Sequence, residues 1–306
     1  MKVLLATDKP LAKAAVDGIR TIVEGAGHEL MLLEKYTTPQ ELYSASECAD
    51  AMIVRSDKVT KEVISSAKNL KIVVRAGAGY DNLDLAACTE HGVVAMNTPG
   101  QNSNAVAELA IGMMISVSRN CFNPGTGSEL KNKTIGIHAY GNVGRLVAKL
   151  AKGFDMNVIA FDPFVSPEKI INDGVTPVST LEGLYEKSDF LSLHIPANEQ
   201  TKKSVGYSLI TRMPKGGCIV NTARKEVINE DELLKALEER SDLKYVTDIA
   251  ADNQSLLNEK FGNRVFATPK KMGAETAEAN INSGIAAATQ IVKFFSTGDR
   301  TFQVNK

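Results

Sequence analysis

The sequence of 306 residues has no excess charge of either sign. Lys and Arg total 35, Asp and Glu 36, and the net charge is −1. A chain without a basic field has no electrostatic footprint for a polyanion, which argues against nucleic acid as a partner. Any anionic ligand must be met by a few placed cations. Cysteine is scarce and scattered, at Cys48, Cys88, Cys121 and Cys218, with no CxxC pair. Neither a disulfide scaffold nor a zinc cluster is expected, and no metal is implied. The thiols read as small buried side chains in a reducing compartment. No run of about 18 apolar residues occurs, so no membrane-spanning helix is expected. Strand-like sequence begins at Lys2, so no leader is expected ahead of the fold. These absences describe a soluble, cytoplasmic chain. Histidine is rare as well, at His28, His91, His138 and His194, with none beyond.

What is present is 43% hydrophobic and 23% charged, a globular composition. The length sets a prior of two domains. Short continuous apolar runs alternate with amphipathic stretches: Val3–Ala6, Leu30–Leu33, Ala51–Val54 and Lys71–Val74, then Ile135–Ala139, Val158–Phe161, Phe190–Leu193, Gly217–Asn221 and Lys244–Asp248. Continuous runs of this length suit strands buried on both faces of a parallel sheet, and the βα alternation argues for a doubly wound α/β fold. Helical patterns cover about Leu11–Glu24, Ser103–Arg119 and Thr276–Phe295. The clearest break is Asn123-Pro124-Gly125-Thr126-Gly127-Ser128, and a short strand over Phe302–Val304 is possible. Two α/β series of unequal size result, the last helix being able to return to the first.

The second series opens on Ile135-Gly136-Ile137-His138-Ala139-Tyr140-Gly141-Asn142-Val143-Gly144-Arg145, a strand, a glycine turn and a helix start. Another strand ends in Phe161-Asp162-Pro163 nearly 20 residues further on. This is the context that a dinucleotide fingerprint needs. The turn from Tyr140 to Gly144 would bring backbone amides and a helix N-terminus to a pyrophosphate. Asp162 would accept from a ribose diol and repel a 2′-phosphate, favouring NAD over NADP. Alanine replaces the usual first glycine at Ala139, which costs little provided its φ is negative. The bland alternative is a glycine turn closing an ordinary βα unit.

Several segments together resemble the D-2-hydroxyacid dehydrogenases, and within them the branch that oxidises 3-phosphoglycerate. They are Val74–Asp84 (VRAGAGYDNLD), Asn97-Thr98-Pro99-Gly100, Val106-Ala107-Glu108, the A-x-G-x-x-G turn, Leu193-His194-Ile195-Pro196 and Val220-Asn221-Thr222-Ala223-Arg224. The resemblance covers nearly the whole chain. It implies a flavodoxin-like substrate-binding domain from residues 1–97 and 280–306, and a Rossmann NAD-binding domain from 98–279. The active site would lie in the cleft. The Ser103–Arg119 helix would serve homodimerisation, or simply be a core helix. The resemblance implies NAD-dependent oxidation of D-3-phosphoglycerate in serine synthesis. The alternative is reduction of an unphosphorylated 2-keto acid such as glyoxylate, hydroxypyruvate or pyruvate. A third reading, an NAD-sensing corepressor, lacks a basic tail to support it. The chain ends soon after its last helix, so the serine-binding regulatory domain of longer relatives is not expected.

Hydride transfer from C2 of a 2-hydroxy acid needs a base for the hydroxyl proton, a cation for the carboxylate and a fixed cofactor. Arg224 follows a strand end and by resemblance binds the carboxylate, where a guanidinium can be bidentate. It could otherwise cap a helix. Asp248, ending another strand, resembles the aspartate that contacts the nicotinamide carboxamide, with helix capping as the alternative. Most relatives carry a histidine in a Thr-Pro-His segment; here Thr268-Pro269-Lys270-Lys271-Met272-Gly273-Ala274 has none. Aligning on Met272–Ala274 puts Lys271 at that position, with Lys270 or a structural lysine pair as alternatives. Burial and a neighbouring Arg224 would push the lysine down from its ordinary value near 10.4. Asp252 and Glu275 are both candidate carboxylate partners, and the role stays unassigned. Arg55 and Arg75 resemble phosphate contacts, against a reading as solvated surface arginines. Ala76 and Gly77 would offer backbone amides to the substrate carboxylate. His138 reads as packed, and His194 as structural, with a place lining the cofactor cleft as the alternative.

Overall fold

The computed structural model describes residues 1–305. The chain divides into two units: residues 1–102 together with the segment from Glu275 onward, and Ser103–Ala274. Both crossings lie five residues from the 97/98 and 279/280 boundaries read from the sequence. The linkers are tied to the first unit by the Thr98 amide donating to the Gly77 carbonyl and by an Arg55–Glu275 ion pair.

The first unit runs β1 (Lys2–Thr7), α1 (Lys13–Gly25), β2 (Glu29–Glu34), α2 (Pro39–Ser46), β3 (Ala51–Val54), α3 (Lys61–Ser66), β4 (Ile72–Arg75), α4 (Leu85–Glu90) and β5 (Val94–Asn97). Its sheet is entirely parallel in the order β2-β1-β3-β4-β5, the flavodoxin-like arrangement. β3 and β5 are buried along their full length, as continuous apolar runs require. Local signals set the helix starts. Thr38 and Glu41 form a capping box on α2, and the Asp84 carboxylate accepts from the Ala87 amide on α4. The chain's last helix, Ala277–Thr297, packs on α1. A Cβ at Gly18 would stand 3.1 Å from Ile285, and one at Gly284 2.9 Å from Ile19. The two glycines let the helices approach closely. Phe302–Val304 makes only an isolated antiparallel bridge, Gln303 to Met96.

The second unit runs α5 (Ser103–Ser118), β6 (Thr134–His138), α6 (Asn142–Gly153), β7 (Asn157–Phe161), α7 (Pro167–Asn172), β8 (Thr176–Pro177), α8 (Leu181–Glu186), β9 (Phe190–Leu193), α9 (Tyr207–Ile210), β10 (Cys218–Asn221), α10 (Glu230–Glu239), β11 (Lys244–Thr247), α11 (Gln254–Phe261) and β12 (Val265–Ala267). All seven strands are parallel, in the order β12-β11-β10-β9-β6-β7-β8, so the topology reverses between β6 and β9. This is the doubly wound Rossmann order with one added edge strand. α5 buries Ala107, Ile111, Met114 and Val117 in the core of this unit, against α6 and the sheet. No helix among the described residues is long and apolar enough to cross a membrane.

Candidate active site

In an open parallel sheet, ligands bind outside the carboxyl ends of the strands at the reversal point. In the second unit those ends carry Ala139 after β6, Asp162 after β7, His194 after β9, Thr222–Arg224 after β10, Asp248 after β11 and Thr268 after β12.

The turn after β6 is built tightly. Ala139 has a φ of 78°, so the condition under which an alanine here would cost little is not met. The chain reverses there directly into α6, and a left-handed residue is needed to make that turn. An alanine in this region costs on the order of 1 kcal/mol. A Cβ on Gly144 would sit 2.3 Å from the Ala139 carbonyl oxygen and 2.9 Å from Ile137. Glycine alone lets α6 pack against the turn. Gly141 caps α6, and a Cβ there would meet nothing within 4 Å. The first amides of α6, on Asn142, Val143 and Gly144, have no partner inside the helix. The Asp162 carboxylate accepts from the Tyr140 amide at 2.7 Å and the Phe164 amide at 2.8 Å. Tyr140 itself is 1% exposed, and its hydroxyl donates to Asp173. It anchors the turn from within, and neither its ring nor its amide is left for a ligand.

Two imidazoles lie beneath this turn. His138 is buried, within 3.4 Å of the Tyr185 hydroxyl, and burial pushes it down to about 4. The backbone amide of His194 donates to the His138 carbonyl, and its ring pairs with the Ser192 hydroxyl at 2.9 Å. Burial, with His138 beside it, pushes His194 down to about 3, although an edge of the residue stays accessible. Both are neutral near pH 7 and packed, as the sequence suggests.

Asp248 is fully buried. One carboxylate oxygen accepts from the Gly273 amide at 2.8 Å, and the other has no hydrogen-bond partner. The buried Thr222 hydroxyl lacks a partner too. Buried polar atoms left unpaired are costly. A carboxamide N–H donating to the orphan oxygen would satisfy it, so the acceptor here fits a nicotinamide as the turn's amides fit a pyrophosphate. Gly273 permits this contact, since a Cβ there would stand 2.8 Å from Asp248. The Thr268 hydroxyl bonds the carbonyls of Asp248 and Lys270. The 268–273 segment is thereby held onto the sheet.

That segment carries Lys271 to Arg224. The Lys271 ammonium donates to the Ala223 carbonyl at 2.9 Å, and so does the Arg224 guanidinium, also at 2.9 Å. Lys271 is exposed, so the neighbouring cation expected from the sequence is present while the expected burial is not. Asp252 is ion-paired to Lys225, and Glu275 to Arg55. Each carboxylate considered as a partner for Lys271 is thus engaged elsewhere. The Ala223 carbonyl and the Gly273 amide are functional groups that the sequence reading missed. Both are backbone atoms, and residue type gives no signal for them.

In the first unit, Arg55 and Arg75 stand at the ends of β3 and β4. Arg75 Nε donates to the Arg55 carbonyl at 2.9 Å. The Arg75 guanidinium lies against Gly77, where a Cβ would stand 1.7 Å from Nη1. The Ala76 amide donates to the Val54 carbonyl and the Gly77 amide to the Arg75 carbonyl. The two amides assigned to a substrate carboxylate from the sequence are therefore already used in closing the strand end.

Residues 111–270 match the family model of the D-isomer specific 2-hydroxyacid dehydrogenase NAD binding domain. This chain belongs to the D-isomer specific 2-hydroxyacid dehydrogenase family. It is similar to the crystal structure of cofactor (NAD+) bound 3-phosphoglycerate dehydrogenase in Entamoeba histolytica, with 49% identity and a TM-score of 0.90 over 100% of this chain and 99% of that one. It is 36% identical over 271 residues to D-3-phosphoglycerate dehydrogenase of Methanocaldococcus jannaschii, covering 84% of this chain and 52% of that protein. It is 35% identical over 285 residues to hydroxypyruvate reductase of Thermotoga maritima, covering 87% and 91%. The chain spans about half the length of the curated phosphoglycerate dehydrogenases it matches. Within this dehydrogenase family the second unit corresponds to the NAD-binding domain.

Proposed function

We propose that this chain is an NAD-dependent dehydrogenase that oxidises D-3-phosphoglycerate to 3-phosphohydroxypyruvate, a reaction that feeds L-serine synthesis. Residues 111–270 would hold the dinucleotide, with the amides of Gly141–Gly144 facing its pyrophosphate, Asp162 its ribose and Asp248 its carboxamide. Bound NAD supplies the hydride acceptor. Arg224 holds the substrate carboxylate and polarises the C2 oxygen. Lys271 takes the C2 hydroxyl proton as the carbonyl forms, and returns it in the reverse direction.

The observation that favours a phosphorylated substrate is the tethered pair Arg55 and Arg75 on adjacent strand ends. Two guanidiniums suit a phosphate dianion, and an unphosphorylated 2-keto acid needs no such pair. The second reading, hydroxypyruvate or glyoxylate reduction, is favoured by the match to a hydroxypyruvate reductase along most of that protein's length. The test is NADH formation from a panel of 2-hydroxy acids with and without phosphate. A kcat/KM for D-3-phosphoglycerate at least about tenfold above that for D-glycerate is expected. Equal values would replace the first reading with the second.

We also propose that the protein acts in the cytoplasm as a homodimer joined through α5 and the turn after it, where Phe122 is 74% exposed beside Ile115 and Arg119. Light scattering is expected to give about twice the chain mass of 32.9 kDa.

A further inference from the structure

Arg55, one of the two proposed phosphate contacts, is already neutralised within its own unit. Its Nη2 lies 2.6 Å from Glu275 Oε1. The partners are 220 residues apart in sequence and meet where the chain re-enters the first unit. The Arg55 side chain is 20% exposed and that of Glu275 45%. The contact is a single charge-assisted hydrogen bond open to water, the kind of pair that contributes little and exchanges readily. Arg55 is itself held in place, because its carbonyl accepts from Arg75 Nε and β3 pairs in register with β4. The Arg55 backbone is thus fixed and its side chain mostly covered, while its counter-ion sits on a half-exposed side chain that can swing away.

We propose that Glu275 is an internal counter-ion that a substrate phosphate must displace from Arg55, and that this exchange sets how far the affinity for a phosphorylated substrate exceeds that for an unphosphorylated one. The inference rests on the reading of Arg55 and Arg75 as phosphate contacts. A dianionic phosphate can take a guanidinium bidentately and outcompetes one carboxylate oxygen. A hydroxymethyl or methyl end group cannot, so with those substrates Glu275 stays on Arg55 and the cation contributes nothing. Glu275 also spares the empty protein two neighbouring guanidiniums with no counter-charge beside Arg55. It touches no reacting atom and acts as a specificity-determining residue.

The matched substrates 3-phosphohydroxypyruvate and hydroxypyruvate, which differ only in the phosphate, test this in steady-state NADH oxidation by the full chain. Glu275→Gln keeps the size of the side chain and removes its charge. It is expected to lower KM for the phosphorylated substrate about two- to fivefold, with kcat and the hydroxypyruvate KM unchanged. In an Arg55→Gln background it is expected to have no further effect. Inorganic phosphate should raise the Tm of Glu275→Gln more than that of the parent, a readout independent of turnover. An unchanged or raised phosphorylated KM in Glu275→Gln, with Arg55→Gln raising KM for the phosphorylated substrate more than for hydroxypyruvate, overturns the counter-ion role alone. If Arg55→Gln affects both substrates equally or neither, the phosphate reading falls and this inference with it.

Discussion

Lys271 and Arg224 donate to one acceptor, the carbonyl oxygen of Ala223, each across 2.9 Å. An ammonium and a guanidinium are thereby held within two hydrogen-bond lengths of each other at the carboxyl end of β10. In the proposed reaction one cation has to hold a carboxylate and the other has to lose and regain a proton. A shared carbonyl suits that division, because one acceptor on the β10 strand end positions both groups together.

The dinucleotide turn stores backbone strain at Ala139. Ala139→Gly is expected to raise stability by about 0.5–1 kcal/mol, the relief of a left-handed alanine less the added freedom of the unfolded chain. Gly144→Ala is expected to cost about 1–3 kcal/mol and to abolish NADH binding, since its Cβ would meet the Ala139 carbonyl. Urea unfolding and NADH fluorescence titration measure both. A silent Gly144→Ala would mean that α6 can back away from the turn.

Asp162 is structural, and in the proposed function it is selective as well. Its carboxylate holds the amides of Tyr140 and Phe164 and presents negative charge where a ribose would lie. Asp162→Ser is expected to raise KM for NAD about tenfold or more and to improve the NADP/NAD ratio of kcat/KM by a similar factor. Saturation kinetics with both cofactors provide the check. An unchanged KM for NAD would remove Asp162 from the cofactor site.

The buried imidazoles make stability depend on pH. His138 is pushed down to about 4 and His194 to about 3, chiefly by burial, against an ordinary value near 6.5. The unfolded chain takes up protons below pH 6.5 that the folded chain refuses. Stability is therefore full above about 6.5 and falls as pH drops from there towards 4, by roughly 2–4 kcal/mol at pH 5. Urea midpoints between pH 7.5 and 5 should follow that decline. His138→Gln should reduce the slope by about one proton, and a flat profile in the parent would show that the rings are hydrated.

Much of this architecture can be read from residue order. β3, β9 and β10 are continuous apolar runs because both of their faces are covered. The shorter strands escaped notice for the converse reason: β8 has two residues and β12 three, too few to carry a period. The A-x-G-x-x-G spacing marks a strand-turn-helix that is present, but spacing carries no φ, so the left-handed angle at Ala139 could not be read from it. Ala76 and Gly77 lie in a recognisable motif, yet only coordinates reveal that their amides are already donating. The Arg55–Glu275 pair spans 220 residues, and nothing local to either residue announces it.

Proton transfer by a lysine is decided by kcat of Lys271→Ala beside Lys270→Ala at saturating substrate and cofactor. Lys271→Ala is expected to lose about 10²–10⁴-fold in kcat, with the NADH Kd unchanged, while Lys270→Ala stays within about threefold of the parent. A Lys271→Ala enzyme that keeps most of its kcat would contradict the account.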